Sequence, residues 1–253
     1  MKRIYAHLNW YLYKNTYKIF DDLWKFVSQG INSAEILAAE GCFHKNNDFF
    51  KLAKQEQLGL GQICGLTYQK NKTLDIKYLG SFINDDRVKP GYYRSIIVSR
   101  KNLEIKEKTL IASINQKDSY SGRFALYSFF NDNFLKPNFK KEIYSGSHLD
   151  TINLISKGDA DIGAIDYLCW QMMKEIIPNK INNLHILGFS KKMPSPPLIY
   201  SNFENLDICE YLKDKLYNVF KDRELKQKLS SIGIRGIKEL KLKDYELFNP
   251  LKI

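Results

Sequence analysis

Short β-rich runs alternate with amphipathic helical stretches along most of the chain, and this alternation is the feature that most constrains the fold. The runs predict strands at residues 4–9, 58–64, 76–82, 92–100, 110–115, 143–144, 160–166, 185–190 and 198–201. Strands that alternate with helices are typical of α/β proteins. The sequence therefore predicts an α/β fold with mostly parallel strands.

Apolar residues recur at helical spacing between several of these runs. The spacing predicts helices over residues 17–27, 147–156, 208–220 and 223–232, and a further helix after Gly122. Gly30 and Gly158 follow two of these stretches, at a position where glycine commonly ends a helix. A further helical stretch begins at residue 167, directly after a predicted strand.

Two polar segments interrupt the alternation and predict the border between two lobes. Residues 100–108 are rich in charge, and residues 190–197 contain three prolines. Connections of this kind often join lobes. We predict lobe 1 over residues 1–101 and 188–253 and an inserted lobe 2 over residues 102–187, with a ligand cleft between the lobes.

Length and composition indicate a globular protein. The chain has 253 residues, of which 44% are hydrophobic and 26% are charged, and this suits one large domain or two small lobes. No apolar run of about 18 residues is present. The first residues also lack the apolar region of a secretory signal peptide. We therefore expect a cytoplasmic location, or a periplasmic one if a leader has been removed.

The net charge of +11 limits the classes of partner. It arises from 39 basic and 28 acidic residues, and lysines scattered along the chain supply most of the positive charge. Scattered Lys is typical of a solvated surface, and no aromatic-basic platform for nucleic acid stands out. The four cysteines lie far apart, without zinc-ligand spacing. We expect a small anionic ligand, no nucleic acid, no metal and no cofactor.

Two predicted helix starts in lobe 2 have the composition of an oxyanion-binding site. The first contains Ser119, Tyr120, Ser121 and Gly122, and the second contains Ser145, Ser147 and His148. Backbone N–H groups at a helix start and serine hydroxyls both donate to anions. The histidine would act as a neutral donor or, when protonated, as a cation. Helix capping and a surface histidine explain the same residues equally simply.

Other candidate residues stand at strand ends. Asp166 ends a predicted strand, where its carboxylate would accept from a ligand or cap the next helix. The candidates from lobe 1 are Trp10, Tyr11, Gln62, Tyr93 and Arg94. An arginine offers a planar pair of donors that suits phosphate or carboxylate. Alternatively, Tyr93 and Arg94 cover a sheet edge, and Trp10 and Tyr11 belong to the core.

Five short segments carry a family resemblance. They are QICG at 62–65, YYRS at 92–95, SYSG at 119–122, SGSH at 145–148 and GDADIGAID at 158–166. In this order they resemble the phosphate/phosphite/phosphonate-type substrate-binding proteins of ABC transporters over nearly the whole chain. The first two are more similar to a leaderless branch of that family.

This resemblance implies the type II periplasmic-binding-protein fold, in which two α/β lobes close on a ligand by a hinge. The residues that it implies as oxyanion ligands are Ser119, Ser121, Gly122, Ser147 and His148. It also implies that Asp166 and Tyr93 lie nearby.

The sequence therefore favours a non-catalytic solute-binding protein. We expect a monomer that captures a small oxyanion, phosphonate or phosphate ester by lobe closure, for ABC-type transport through a transporter permease. The alternative is a cytosolic enzyme or ligand sensor on the same scaffold, in which His148 and Asp166 would form an acid/base pair. No recognisable set of nucleophile, base and orienting group is present, so this alternative ranks second.

Overall fold

The computed structural model describes residues 2–31, 36–43, 49–71, 75–101, 103, 109–133, 138–204 and 206–247. Its strands are β1 (Lys2–His7), β2 (Ile36–Phe43), β3 (Leu58–Gln62), β4 (Ile76–Ile83), β5 (Tyr92–Tyr93), β6 (Ser95–Arg100), β7 (Leu110–Ile114), β8 (Phe139–Tyr144), β9 (Ile162–Asp166), β10 (Leu184–Phe189), β11 (Met193–Pro194), β12 (Pro197–Ser201) and β13 (Gly236–Lys238).

The helices fall mostly between these strands. The α-helices are α1 (Tyr17–Ser28), α2 (Phe49–Lys54), α3 (Gly65–Lys70), α4 (Ala125–Asp132), α5 (His148–Lys157), α6 (Tyr167–Ile176), α7 (Pro178–Ile181), α8 (Leu206–Asn218) and α9 (Arg223–Ser231). A π-helical turn, Tyr120–Phe124, leads into α4, and a 3₁₀ turn, Asn9–Tyr11, follows β1.

The strands form two mixed sheets and a two-stranded antiparallel sheet of β5 and β11. Sheet 1 has the order β13-β4-β12-β3-β1-β2, and sheet 2 has the order β10-β6-β9-β7-β8. Parallel pairing joins β1 to β2 and β3, and β7 to β8 and β9. The remaining pairs are antiparallel. The prediction of mostly parallel strands is wrong, because β6, β10 and β12 carry the chain between the sheets and run against their neighbours.

Most elements with a clear apolar period are present. Helices α1, α5, α8 and α9 occupy the predicted stretches, and Gly158 ends α5 with a left-handed φ of 84°. The sequence did not predict β2, α2 or α3. Both helices have six residues, which is too short for a helical period to become visible.

One continuous apolar core connects sheet 1 with α6. Phe20 and Trp24 from α1 and Leu212 from α8 are buried in it, together with Leu168 and Met172 from α6. A second cluster fills the space between sheet 2 and α4. Ile165 of β9 belongs to the same core, so this core reaches the end of the strand that precedes α6.

The sheet to which each strand belongs indicates where the chain crosses between the predicted lobes. Strand β6 precedes residue 101 but pairs with β9 and β10 in sheet 2. Residue 102 and residues 104–108, where the first crossover was predicted, lie outside the described residues. The division at residues 101 and 188 stays a prediction, and the sheet membership favours crossovers near residues 94 and 190.

The described part of the chain also bears on membrane, metal and disulfide chemistry. None of its helices has both the length and the apolar character needed to cross a membrane. Within the same ranges, no group of three or more His, Cys, Asp or Glu residues is arranged to hold a metal ion. Cys64, Cys169 and Cys209 are free thiols, and the side chain of Cys42 lies outside the described residues.

Candidate oxyanion-binding site

The carboxyl ends of β7, β8 and β9 lie side by side at one edge of sheet 2. Strand β7 is parallel to both neighbours, and each of the three strands is followed by a helix start. Parallel neighbours end at the same sheet edge, so the starts of the 120–124 turn, α5 and α6 converge there. The N–H groups and dipole at a helix start favour negative charge.

Side chains from the first two helix starts touch one another. Ser121 Oγ lies 2.9 Å from His148 Nε2, and Ser119 Oγ lies 3.4 Å from Ser121 Oγ. Asn115 Nδ2, just beyond β7, lies 3.4 Å from the same histidine nitrogen. The two starts that the sequence singled out therefore form one polar cluster.

The capping role that the sequence left open is also present. Ser119 Oγ accepts a hydrogen bond of 3.1 Å from the N–H of Gly122. Ser147 Oγ accepts one of 3.0 Å from the N–H of Asp150 and donates one of 2.7 Å to its carboxylate. Asp166 Oδ1 accepts two from backbone N–H groups of α6, at 2.8 and 3.1 Å. These bonds fix the rotamers of three predicted site residues.

A cavity of about 390 Å³ lies between these helix starts and the end of β1. Several residues predicted from the sequence line it, namely Trp10, Tyr11, Tyr93, Ser119, Ser121, Ser147, His148 and Asp166. The other lining residues, which the sequence did not assign as ligand contacts although Cys64 and Gly146 lie in the segments that carry the resemblance, are Leu12, Tyr13, Cys64, Thr67, Asn115, Gln116, Asp118, Gly146, Cys169 and Pro196. Strand ends offered a signal for some of these, because residues 115, 116 and 118 directly follow β7.

The two walls of the cavity contact each other around it. The Tyr13 hydroxyl, which follows β1, donates to Cys169 Sγ on α6 at 3.6 Å. Burial raises the pKa of the Cys64 thiol, and a hydrogen bond from the backbone of Tyr120 acts in the opposite direction. Tyr11 is only 1% exposed. Residues that follow β1 and β3 therefore contact α6 and the 120–124 turn beside the cavity.

Arg94 lies outside the cavity lining. Its Nε lies 3.0 Å from a carboxylate oxygen of Asp85, and its guanidinium carbon lies 3.9 Å from the centre of the Phe189 ring. Asp85 is fully buried and also pairs with Arg87, at 3.1 Å. The Arg94 guanidinium, which was predicted to contact a ligand, therefore belongs to a buried ion-pair cluster beside the crossover between the sheets.

Four other predicted residues also lie outside the lining, each with a structural partner. Gln62 Nε2 donates to the carbonyl oxygen of residue 196 at 3.2 Å, because β3 pairs with β12. Tyr120 is buried in an aromatic cluster with Tyr93. Ser145 Oγ donates to the carbonyl oxygens of residues 114 and 147, at 3.2 and 3.0 Å. Gly122 leaves room for the Asn115 side chain, because a Cβ at residue 122 would overlap Asn115 Oδ1.

Burial shifts the two ionisable groups of the site in opposite directions. Burial lowers the pKa of His148 to about 4, against a weaker opposite effect of the Ala164 backbone. Burial raises the pKa of Asp166 to about 6, against the hydrogen bonds from α6. At neutral pH the imidazole is therefore uncharged and the carboxylate is mostly ionised. The described lining residues include no Lys or Arg, so neutral groups must supply any donors to an anion.

A family model described as "ABC transporter, phosphonate, periplasmic substrate-binding protein" matches residues 46–245. The chain belongs to this family. Members of the phosphonate-binding family are normally periplasmic, and they are substrate-binding proteins of ABC transporters.

A relative in Prochlorococcus marinus (strain MIT 9301) supports this assignment. It is the probable ABC transporter phosphite-binding protein PhnD1, with 26% identity over 153 residues. The alignment covers 50% of this chain and 52% of the relative. The chain therefore spans about half the length of the curated relative that it matches.

Solved structures share the fold over nearly the whole chain. PhnD1 from Prochlorococcus marinus, solved with methylphosphonate, has a TM-score of 0.75 at 19% identity, covering 97% of this chain and 95% of its own. A binding protein of an ABC phosphonate transporter from Pseudomonas aeruginosa has the same TM-score at 16% identity, covering 94% of this chain and 81% of its own. The fold is therefore the predicted two-lobed type II periplasmic-binding-protein fold.

Proposed function

We propose that the chain is a solute-binding protein that captures a small oxyanion, phosphonate or phosphate ester in the cavity by lobe closure, for ABC-type transport. The observation that carries this proposal is the 2.9 Å contact between Ser121 and His148, where two helix starts meet on one cavity. Membership of the phosphonate-binding family supports the same ligand class.

The headgroup binds to neutral donors. The Ser121–His148 pair, which shares one hydrogen bond of 2.9 Å, and the first backbone N–H groups of α5 lie where the helix starts converge. Hydrogen bonds to a charged group contribute about 1.5–3 kcal/mol each. A few such bonds suffice for micromolar capture once the costs of ordering the ligand are subtracted.

Asp166 selects the protonation state of the ligand. It is 3% exposed and lines the cavity, and its carboxylate accepts from a hydroxyl on the ligand, such as a protonated phosphoryl oxygen. A fully deprotonated headgroup would place two negative charges together in a buried site, which is unfavourable. We therefore propose that the site prefers the monoanion of a phosphonate.

A thermal-shift panel of phosphate, phosphite, methylphosphonate, 2-aminoethylphosphonate and sulfate tests this function. A ligand at about 100 times its Kd adds about 2.7 kcal/mol to the free energy of unfolding. We expect Ser121→Ala and His148→Ala to lose most of the shift. Ser230→Ala, at an exposed position on α9, is the matched control and should keep it. A full response from both cavity variants would show that the ligand binds elsewhere.

The competing enzyme or sensor function differs in the fate of the ligand. In the phosphonate-binding family the bound molecule is delivered unchanged, and Asp166 is engaged by α6 rather than by His148. We propose that the cleft carries no catalysis. Phosphorus NMR of a bound phosphonate during prolonged incubation should show one unchanged species, and a product signal that disappears with His148→Ala would support the enzyme.

Location and partners complete the proposal. We propose that the chain works as a monomer in the periplasm, contacts a transporter permease and binds no nucleic acid. Osmotic shock should release it from its native host, and light scattering should give the mass of one chain, 29.6 kDa. Recovery only from the cytoplasm, or tight binding to random-sequence DNA, would contradict these statements.

A further inference from the structure

The cavity is much larger than a phosphoryl headgroup. Its volume is about 390 Å³, which falls in the range of about 300–1,000 Å³ that holds drug-sized ligands. Inorganic phosphate, phosphite and methylphosphonate have only a few heavy atoms each. None of them fills this space, so most of the cavity is left for another part of the ligand.

The walls of this cavity already contact each other at two places. The Tyr13 hydroxyl reaches Cys169 at 3.6 Å, and the backbone of Tyr120 bonds to Cys64. Tyr93, which lines the cavity, is only 3% exposed. These contacts leave little room for the two walls to approach each other further at these places.

Polar and apolar groups occupy different sides of the cavity. The oxyanion donors come from the helix starts after β7 and β8, including Ser121 and His148. The opposite side is built by Trp10, Leu12 and Tyr13, which follow β1. Trp10 lines the cavity with 40% of its surface exposed, so its ring is free to cover an apolar or aromatic group.

Charge limits what that group can be. Asp118 and Asp166 line the cavity, and no Lys or Arg stands among the described lining residues. A second negative charge on the ligand would meet these carboxylates without a compensating cation. The remainder of the ligand should therefore carry no second negative charge.

We propose that the ligand carries an uncharged aromatic or bulky apolar group on its phosphonate or phosphate headgroup, and that this group packs against Trp10. The inference rests on the proposed function and names the ligand class of the same site. The headgroup occupies the cluster around Ser121, and the organic group occupies the side formed by the residues after β1.

Three phosphonates with the same headgroup test this inference by calorimetry on the full chain. They are methylphosphonate, phenylphosphonate and phosphonoacetate. We expect phenylphosphonate to bind about tenfold more tightly than methylphosphonate or better, because burial of a phenyl ring is favourable by more than the corresponding free energy. We expect phosphonoacetate, with its second negative charge, to bind more weakly than phenylphosphonate by a similar factor.

Variants at Trp10 locate the organic group. Trp10→Ala should reduce the preference for phenylphosphonate over methylphosphonate to less than about threefold. Trp10→Phe should retain most of the preference. Leu206→Ala removes another exposed apolar side chain, 69% exposed and outside the cavity lining, and should behave as the wild type.

The outcomes separate this inference from the proposed function. Equal or tighter binding of methylphosphonate overturns the inference and leaves the proposed function standing. A preference for phenylphosphonate that survives in Trp10→Ala overturns the placement of the group. If none of the three compounds binds, the proposed function fails and the inference fails with it.

Discussion

His148 and Asp166 should give the stability of the ligand-free protein two opposite pH dependences. The pKa of His148 is lowered from 6.5 to about 4 on folding, so the unfolded chain takes up a proton between these values and the folded one does not. Stability is therefore lost as the pH falls from 6.5 to 4. At about 1.36 kcal/mol per pKa unit, the loss is about 3 kcal/mol.

Asp166 acts in the opposite direction in nearly the same range. Its pKa is raised from 3.8 to about 6 on folding, so the folded state holds a proton that the unfolded state has released. The corresponding stability is present below pH 4 and is lost as the pH rises to 6. This contribution is also about 3 kcal/mol. Between pH 4 and 6 the two contributions nearly cancel in the wild type, and single variants should separate them.

Urea unfolding of wild type, His148→Gln and Asp166→Asn at several pH values between 4 and 7.5 measures both contributions. The difference in unfolding free energy between wild type and His148→Gln should fall by about 3 kcal/mol from pH 6.5 to 4. The difference for Asp166→Asn should rise by about the same amount from pH 6 to 4. His185→Gln, at an exposed position, controls for the loss of an imidazole. A difference for His148→Gln that stays constant with pH would refute the buried, neutral histidine.

Three further substitutions test individual contacts. Ser147→Ala should lower the unfolding free energy by about 1 kcal/mol in urea titration, because α5 loses its cap, whereas Ser147→Thr should keep most of it. Asp85→Asn should destabilise by about 3 kcal/mol or more, since Arg94 loses a buried partner, while the thermal shift produced by methylphosphonate persists; a lost shift would instead return the arginine to the binding site. Gly122→Ala should weaken methylphosphonate binding about fivefold in calorimetry, because the new methyl group displaces Asn115. An unchanged affinity would mean that this amide is not needed.

The part of the site that the sequence predicts is the part encoded locally. Ser119, Ser147 and Asp166 each bond to a backbone N–H within three residues, and short polar segments before a helical period are visible in a single sequence. The sequence could therefore place the helix starts. The three residues line one cavity because β7 lies between β8 and β9 and is parallel to both.

The features that the sequence missed depend on residues far apart in the chain. Arg94 packs against the Phe189 ring on β10, and nothing near residue 94 in the sequence indicates this partner. The contact between Tyr13 and Cys169 joins residues 156 positions apart. Strand direction has the same origin, because the partners of β6 and β12 follow from crossovers and not from the composition of the strands.

The distribution of charge is consistent with the proposed anion site, in which a chain with a net charge of +11 places no Lys or Arg among the described lining residues. A buried Lys or Arg would attract every small anion, and its desolvation would cost several kcal/mol in the empty protein. Neutral donors cost less to bury once they are hydrogen-bonded, as Ser121 is to His148, and they favour oxygens at particular positions. The positive charge outside the cavity still raises the encounter rate with anions, although salt screens it beyond about 8 Å. Attraction at the surface and selection inside are thus carried by different residues, so ligand identity depends on the shape of the cavity and not on the charge of the chain.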